Sequence, residues 1–291
     1  MPNLLPVQLT SPDFFIAELI ALHEVLYRLK HQLGPEVFNS RNVRLSNGDV
    51  KPVTELVALA EHLWATRMSQ VLGTRRVRIL GHANVHESTS LSSERVPCIF
   101  IDIIDNLHGY RHGNELWATS VLVYDPASRR IISAFLARAA ELPPMLYFTT
   151  SEPGAFKLKF TNLYAPNLPV ALRVAKDGTA LSTARVSAHG NASTLPFSAK
   201  CSTFGISASD LSDGNLDLVL QMNEDLPHVV LGPVAIAMEA GACLGDQYST
   251  DLDSGTFFLS LLRPGVPTGR CILATTPQLL TEVRSVIASS Q

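Results

Sequence analysis

A chain of 291 residues that is 46% hydrophobic and only 17% charged holds enough apolar material for a large core, which excludes wholesale disorder. Its formal charge of -3 provides no broad cationic surface, which excludes nonspecific nucleic-acid binding. No stretch reaches the ~20 apolar residues of a membrane span, and the start, MPNLLPVQLTSPDFF, lacks the basic and unbroken apolar regions of a secretory signal. The expectation is a cytoplasmic protein that engages neither nucleic acid nor membrane. The four cysteines (Cys98, Cys201, Cys243, Cys271) stand far apart with no CxxC pair, so they read as buried free thiols rather than a disulfide or zinc framework.

In chain order, Ser11-Pro12-Asp13 opens the periodic run FFIAELIALHEVLYRLKHQL, which Gly34-Pro35 closes; this predicts a helix. The spacing of Leu56, Leu59, Leu63 and Val71 predicts a second helix over Thr54–Leu72 with Gly73 as its C-cap. VRILG (77–81) and CIFIDII (98–104) read as buried strands, and 116–138 as a hairpin turning at Asp125-Pro126-Ala127-Ser128. VALRVA (170–175) and ARVSAH (184–189) read as further strands. Ser207–Leu220 reads as a weak helix, GPVAIAMEAGACLG (232–245) as a clear one with Pro233 in its first turn, and PQLLTEVRSVIASS as an amphipathic one. Alternating blocks predict a layered α/β (α+β) protein. A loose boundary near residue 160 separates an N-terminal α+β half, 1–160, from a C-terminal α/β half, 161–291, within one compact globular unit.

The most telling peptide is Asp102-Ile103-Ile104-Asp105-Asn106-Leu107. A strand running into two aspartates three residues apart leaves both carboxylates at a turn, where they can converge on a hard cation. The plainer reading is a pair of solvated turn aspartates, or of caps that bond backbone N–H groups. Searches for a GxSxG elbow, a P-loop, a GxGxxG fingerprint and HExxH find nothing.

The order and spacing of these segments resemble the inositol monophosphatase superfamily, related to the fructose-1,6-bisphosphatases. Asp102–Leu107 stands where that family has D-P-I-D-G-T, and Gly81-His82-Ala83 stands some twenty residues upstream, where it has G-E-E. Downstream, Glu152-Pro153-Gly154-Ala155-Phe156 resembles its G-x-G-A-F, His228–Gly232 its W-D-x-A-A-G, and Met238–Ala242 its T-E-A-G-G. The resemblance implies an α-β-α-β-α sandwich and a homodimer.

It also implies a degenerate site. The family's Mg²⁺ ligands are the acids of G-E-E, D-P-I-D and W-D. Here Asp102 and Asp105 remain, His82 and Ala83 replace the G-E-E acids, and Val229 replaces the W-D aspartate. Leu107 replaces the family threonine, and Val57 stands where an aspartate follows the D-L-V-T element. Hard cations need several anionic oxygens, and imidazole suits Mg²⁺ poorly. Asp102 and Asp105 would hold at most one weak divalent cation, so no cofactor is expected.

The expected activity is therefore a repurposed one. His82, Asp102 and Asp105 would be an acid–base group for cyclisation, elimination or isomerisation of a small molecule, in a biosynthetic setting. Leu107, His108, Gly205, Ser207, Gln221, His228 and Val229 would line the ligand, with Gly205-Ile206-Ser207-Ala208 offering a helix N-terminus and Gln221 replacing a polyol-binding carboxylate. The bland alternatives are a strand-end cap for His82, a solvated loop for His108 and His112, and a packing role for His228. Glu239 reads as a structural hydrogen-bonding group. Two further readings stay open: a non-catalytic pseudophosphatase that binds or regulates a partner, and a residual metal-dependent phosphatase.

Overall fold

The computed structural model describes residues 9, 11–32, 40–44, 50–72, 77–81, 97–112, 117–138, 144–162, 165–166, 168–175, 180–189, 203–221, 227–246 and 271–289. The chain begins with helix α1 (Pro12–Gln32), strands β1 (Ser40–Arg44) and β2 (Val50–Thr54), and helix α2 (Glu55–Val71). Thr54 caps α2 by accepting from the Val57 N–H at 3.3 Å. Buried Glu18 of α1 is gripped by two nitrogens of the Arg67 guanidinium on α2.

A large mixed sheet follows. Its strands are β3 (Arg78–Leu80), β4 (Cys98–Asp105), β5 (Ala118–Asp125), β6 (Arg130–Arg138), β7 (Met145–Thr149), β8 (Ala155–Asn162), β9 (Ala165–Pro166) and β10 (Val170–Ala171). They lie in the order β10-β8-β7-β6-β5-β4-β3, with β9 beside β8. Only the β3–β4 pair is parallel within that order. The short helix α3 (Leu107–His112) leaves the end of β4.

Side-chain alternation along β4 shows why the sheet is covered on both faces. Ile99, Ile101 and Ile103 pack with Phe15, Leu19, Leu56 and Trp64 of α1 and α2. Cys98 and Phe100 point the other way, into a cluster built by α4 (Phe204–Ser212) and α5 (Pro227–Glu239). Across that cluster lies a second sheet, β11 (Val186–His189), β12 (Leu218–Gln221), β14 (Cys271–Ala274) and β13 (Cys243–Gly245), in the order β11-β12-β14-β13. Its far face, with Val186, Ala188, Leu218, Leu220 and Ile272, packs on Leu279, Leu280, Val283 and Ile287 of α6 (Pro277–Ser289). The layers thus run α1/α2, large sheet, α4/α5, small sheet, α6, which is the expected α-β-α-β-α sandwich. Among the described residues, no helix is long and apolar enough to cross a membrane.

Two sequence expectations fail in this half. The helix expected over Ser207–Leu220 is α4 followed by strand β12, because Gly214 adopts φ +75° and turns the chain. The helix expected over 232–245 begins at Pro227 and ends at Glu239, where Gly241 (φ +99°) stops it and Cys243–Gly245 pairs as β13. Pro233 therefore lies inside α5, not in its first turn. The helix is apolar all round, as a middle-layer helix must be, and its extra turn extends toward the end of β4.

Candidate active site

Asp102 and Asp105 are three residues apart, so on a regular strand they would point to opposite faces. The β4–β5 register shifts between them: Asp102 faces Ser120 and Asp105 faces Ala118, leaving Ile103 and Ile104 opposite Thr119 alone. Both isoleucines of this bulge join the α1/α2-side core. The bulge therefore turns Asp105 back to the α4/α5 face that Asp102 already occupies. Thr119 secures it by donating its hydroxyl to the Ile103 carbonyl at 2.7 Å.

The two carboxylates differ in setting. Asp102 is buried, with Ser120 across the ladder and Gly232 of α5 lying close to the Ser120 side chain. Asp105 is half-buried and accepts the Gly205 N–H through Oδ2 at 2.7 Å. Gly205 is the second residue of α4, whose N-cap is Thr203. The Ile206 N–H bonds to the Thr203 hydroxyl at 3.4 Å and the Ser207 N–H to the Thr203 carbonyl at 3.0 Å. Three amides of the α4 first turn are thus already satisfied within the chain. A carboxylate of the protein sits where the sequence suggested an external anion.

Asn106 follows at φ +77°, a left-handed residue at the position where the resembling motif has glycine. Asparagine tolerates that region better than other non-glycine residues. Its Oδ1 accepts the Gly109 N–H at 2.9 Å and starts α3. Leu107 packs against the α1/α2-side core. Tyr110 donates its hydroxyl to the Leu26 carbonyl at 2.7 Å, and burial pushes its phenol up to about 12.

Of the other candidates, Ser207 on α4 and Gln221 on β12 are both buried where that helix meets the small sheet. His82 lies outside the described residues. So do the side chains of His108, His228 and Val229, although α3 and α5 carry their backbones. Val57 is buried in the first turn of α2. Glu239 accepts the Gly154 N–H at 3.1 Å, joining the two elements that resembled E-A-G and G-A-F.

Two groups escaped the sequence reading. Glu61 is a buried carboxylate on α2, and a Cβ on Gly81 would lie 2.6 Å from it. The signal was present: Leu56, Val57, Ala60, Glu61, Trp64 and Met68 form the buried stripe of α2, and a glutamate in such a stripe marks a paired or functional acid. His189 at the end of β11 lies 3.0 Å from the Ser207 hydroxyl through Nε2. Nothing local in ARVSAH singles it out.

Chains of known structure share this fold at low sequence identity. The Thermotoga maritima IMPase superposes with a TM-score of 0.67 at 14% identity, over 96% of this chain and 98% of its own. A Ca-bound IMPase family protein from Staphylococcus aureus gives 0.69 at 10% identity, over 95% and 94%. The fold is that of the inositol monophosphatases. A third structure with the same fold, SaIMPase-II bound to inositol monophosphate, gives 0.64 at 14% identity over 94% and 93%. No family model matches the sequence, and no curated protein does.

His23 buttresses the β4 bulge from behind. Its Nε2 lies 3.3 Å from the Thr119 hydroxyl, whose single proton goes to Ile103, so the imidazole donates from Nε2. Burial pulls its pKa down to about 4. The unfolded chain takes up a proton near pH 6.5 that the folded chain refuses until near pH 4. Stability is therefore full above about 6.5 and falls as pH drops toward 4, by about 3 kcal/mol from this group. Urea midpoints at the two ends of that window should separate less in His23→Gln than in the unmodified chain.

Proposed function

We propose that this chain is a small-molecule enzyme on the inositol monophosphatase fold whose chemistry is proton transfer rather than Mg²⁺-driven hydrolysis of a phosphate ester. The observation that carries the reading is the Asp105–Gly205 hydrogen bond. It engages one carboxylate oxygen that a metal cluster would need, and it occupies an amide that would otherwise meet an anionic substrate.

Two further observations support it. Val57, buried and apolar, stands at the start of α2 where the family resemblance calls for an aspartate. Among the described residues, no three His, Cys, Asp or Glu side chains are grouped so as to hold a metal ion. These residues do not fit a cluster of two or three hard cations, which asks for more anionic oxygens than Asp102 and Asp105 offer. In this reading Asp102 is the carboxylate that fixes a histidine tautomer, His82 the imidazole beside it, and Asp105 an acid aimed by the α4 backbone. Gln221 stands on the ligand side.

The test is calorimetry of the full chain with MgCl₂ and MnCl₂, run beside phosphate release from inositol 1-phosphate. The expected result is one weakly held cation at most and no phosphate released above background. Two or more Mg²⁺ per chain with saturable phosphate release would return the protein to the hydrolases.

A further inference from the structure

Alternation along β11 places its two polar side chains on one face. Val186 and Ala188 point into the α6 core, so Ser187 and His189 point toward α4. There they meet Ser207. The Ser207 hydroxyl is 2.8 Å from that of Ser187 and 3.0 Å from His189 Nε2, and Ser187 Oγ is 3.5 Å from the same nitrogen. Phe204 of α4 holds the ring edge-on, with centroids 5.8 Å apart at 83°.

The place matters as much as the contacts. β11 and β12 are parallel, and His189 and Gln221 are paired residues at their C-terminal ends. In α/β layers, ligands enter beyond the carboxyl ends of such strands. Helix α4 then links this corner to the site described above, since it carries both Ser207 and the Gly205 amide that binds Asp105.

We infer that His189 is a proton-exchanging residue of the ligand site, and that Ser207 is the residue that positions it. The inference rests on the proton-transfer reading for its chemistry. Its geometry is independent of that reading.

The partners of Nε2 are what suit it to this work. A serine hydroxyl carries one donor and two acceptor sites and can rotate between roles. Ser207 can donate to a neutral Nε2 or accept from Nε2–H, passing its own proton toward Ser187. The ring can thus change tautomer or charge without losing its bond at Nε2.

Exposure divides the roles. Ser207 is 0% exposed and beyond reach of a substrate, whereas His189 retains 9%. Among the described residues, Phe204 and Ser207 of α4 meet the ring, and Gln221 of β12 is its paired neighbour in the sheet. Asp210 on α4 is paired to Arg138, and Asp217 before β12 is paired to Arg185. The expected ligand meets the ring as an uncharged group that gains or loses a proton, such as a hydroxyl or an enolisable carbonyl.

The test uses the full-length chain and two readouts. Diethyl pyrocarbonate is the probe for reach: a neutral ring nitrogen attacks its carbonyl carbon, ethyl carbonate leaves and breaks down to ethanol and CO₂, and the ring proton is released. Peptide mapping of the native, unmutated chain should find the carbethoxyl group on His189. Imidazole ¹⁵N NMR is the probe for positioning, with His189 assigned by its loss in His189→Asn. Ser207→Ala should shift the tautomer balance of the ring, and Ser207→Thr, which keeps a hydroxyl, should restore it.

A His189 that is protected from the reagent in the native chain and labelled only after unfolding overturns the inference. So does a tautomer balance indifferent to Ser207→Ala. The labelling arm needs no variant, so poor folding of a mutant cannot obscure the result. Mg²⁺ stoichiometry tests the parent reading separately: a chain that binds several Mg²⁺ sinks that reading whatever His189 does, and a sealed His189 leaves the Mg²⁺ result untouched.

Discussion

Gly205→Ala is expected to lower the free energy of unfolding by about 2–3 kcal/mol, although alanine is the better helix former by ~1 kcal/mol. A Cβ at this position would lie 2.7 Å from Asp105 Oδ2 and 3.0 Å from Leu136 Cδ1. The carboxylate cannot step aside cheaply, because the same oxygen accepts the Gly205 N–H. Overpacking and a broken charge-assisted bond therefore act together, and they outweigh the gain in helix propensity. The diagnostic comparison is a double-mutant cycle with Asp105→Ala, followed by urea denaturation. Removing the carboxylate makes room for the methyl, so the double variant should be more stable than the sum of the singles by about 1 kcal/mol or more. Strict additivity would show that this contact is not the source of the loss.

Arg138→Leu should destabilise the chain by a similar amount, about 2–3 kcal/mol. Arg138 ends β6 with its side chain 9% exposed, donates to Asp210 at 2.6 Å and Ser209 at 3.2 Å on α4, and stacks over Tyr147. Leucine retains much of the packing but strands the Asp210 carboxylate, itself 30% exposed, without its counter-charge. Arg138→Lys should recover less than half of the loss, since an ammonium cannot reproduce the planar fork over the ring. Lys157 grips Asp213 just beyond α4 at 2.6 Å and limits the damage. Hydrogen exchange should consequently quicken in the α4 amides while those of α6, two layers away, keep their protection.

Much of the fold is legible in the sequence, and the reasons are local. Ser11 accepts the Phe14 N–H at 3.4 Å and starts α1 where the cap signal stood. Asp125 accepts the Ala127 and Ser128 amides, so the expected hairpin turn rests on its own side chain. Fully buried β4 reads as a continuous apolar run because both of its faces are covered. The failures are local too. Leu218–Gln221 is too short to show its period, and the stop at Gly214 before it depends on a positive φ that the letters do not reveal. Gly241 ends α5 in the same way, so the apolar run continues into Cys243–Gly245 as strand rather than helix.

The site is less legible. A two-carboxylate motif can be read from the letters, but the bulge that brings both acids to one face depends on pairing with β5. The helix expected at Gly205–Ala208 exists, yet its amides are claimed by Asp105 and Thr203, a fact that needs contacts 100 residues apart. His189 had no chance of notice: its significance comes from a serine 18 residues away on another element.

One helix touches both polar corners, and that has a thermodynamic consequence. A molecule that pulls on Ser207 through His189 also moves the Gly205 amide against Asp105, because the two residues belong to one rigid turn. On the proposed reading, in which both corners belong to a ligand site, occupancy at one alters affinity at the other, and by linkage the two influences are equal in size.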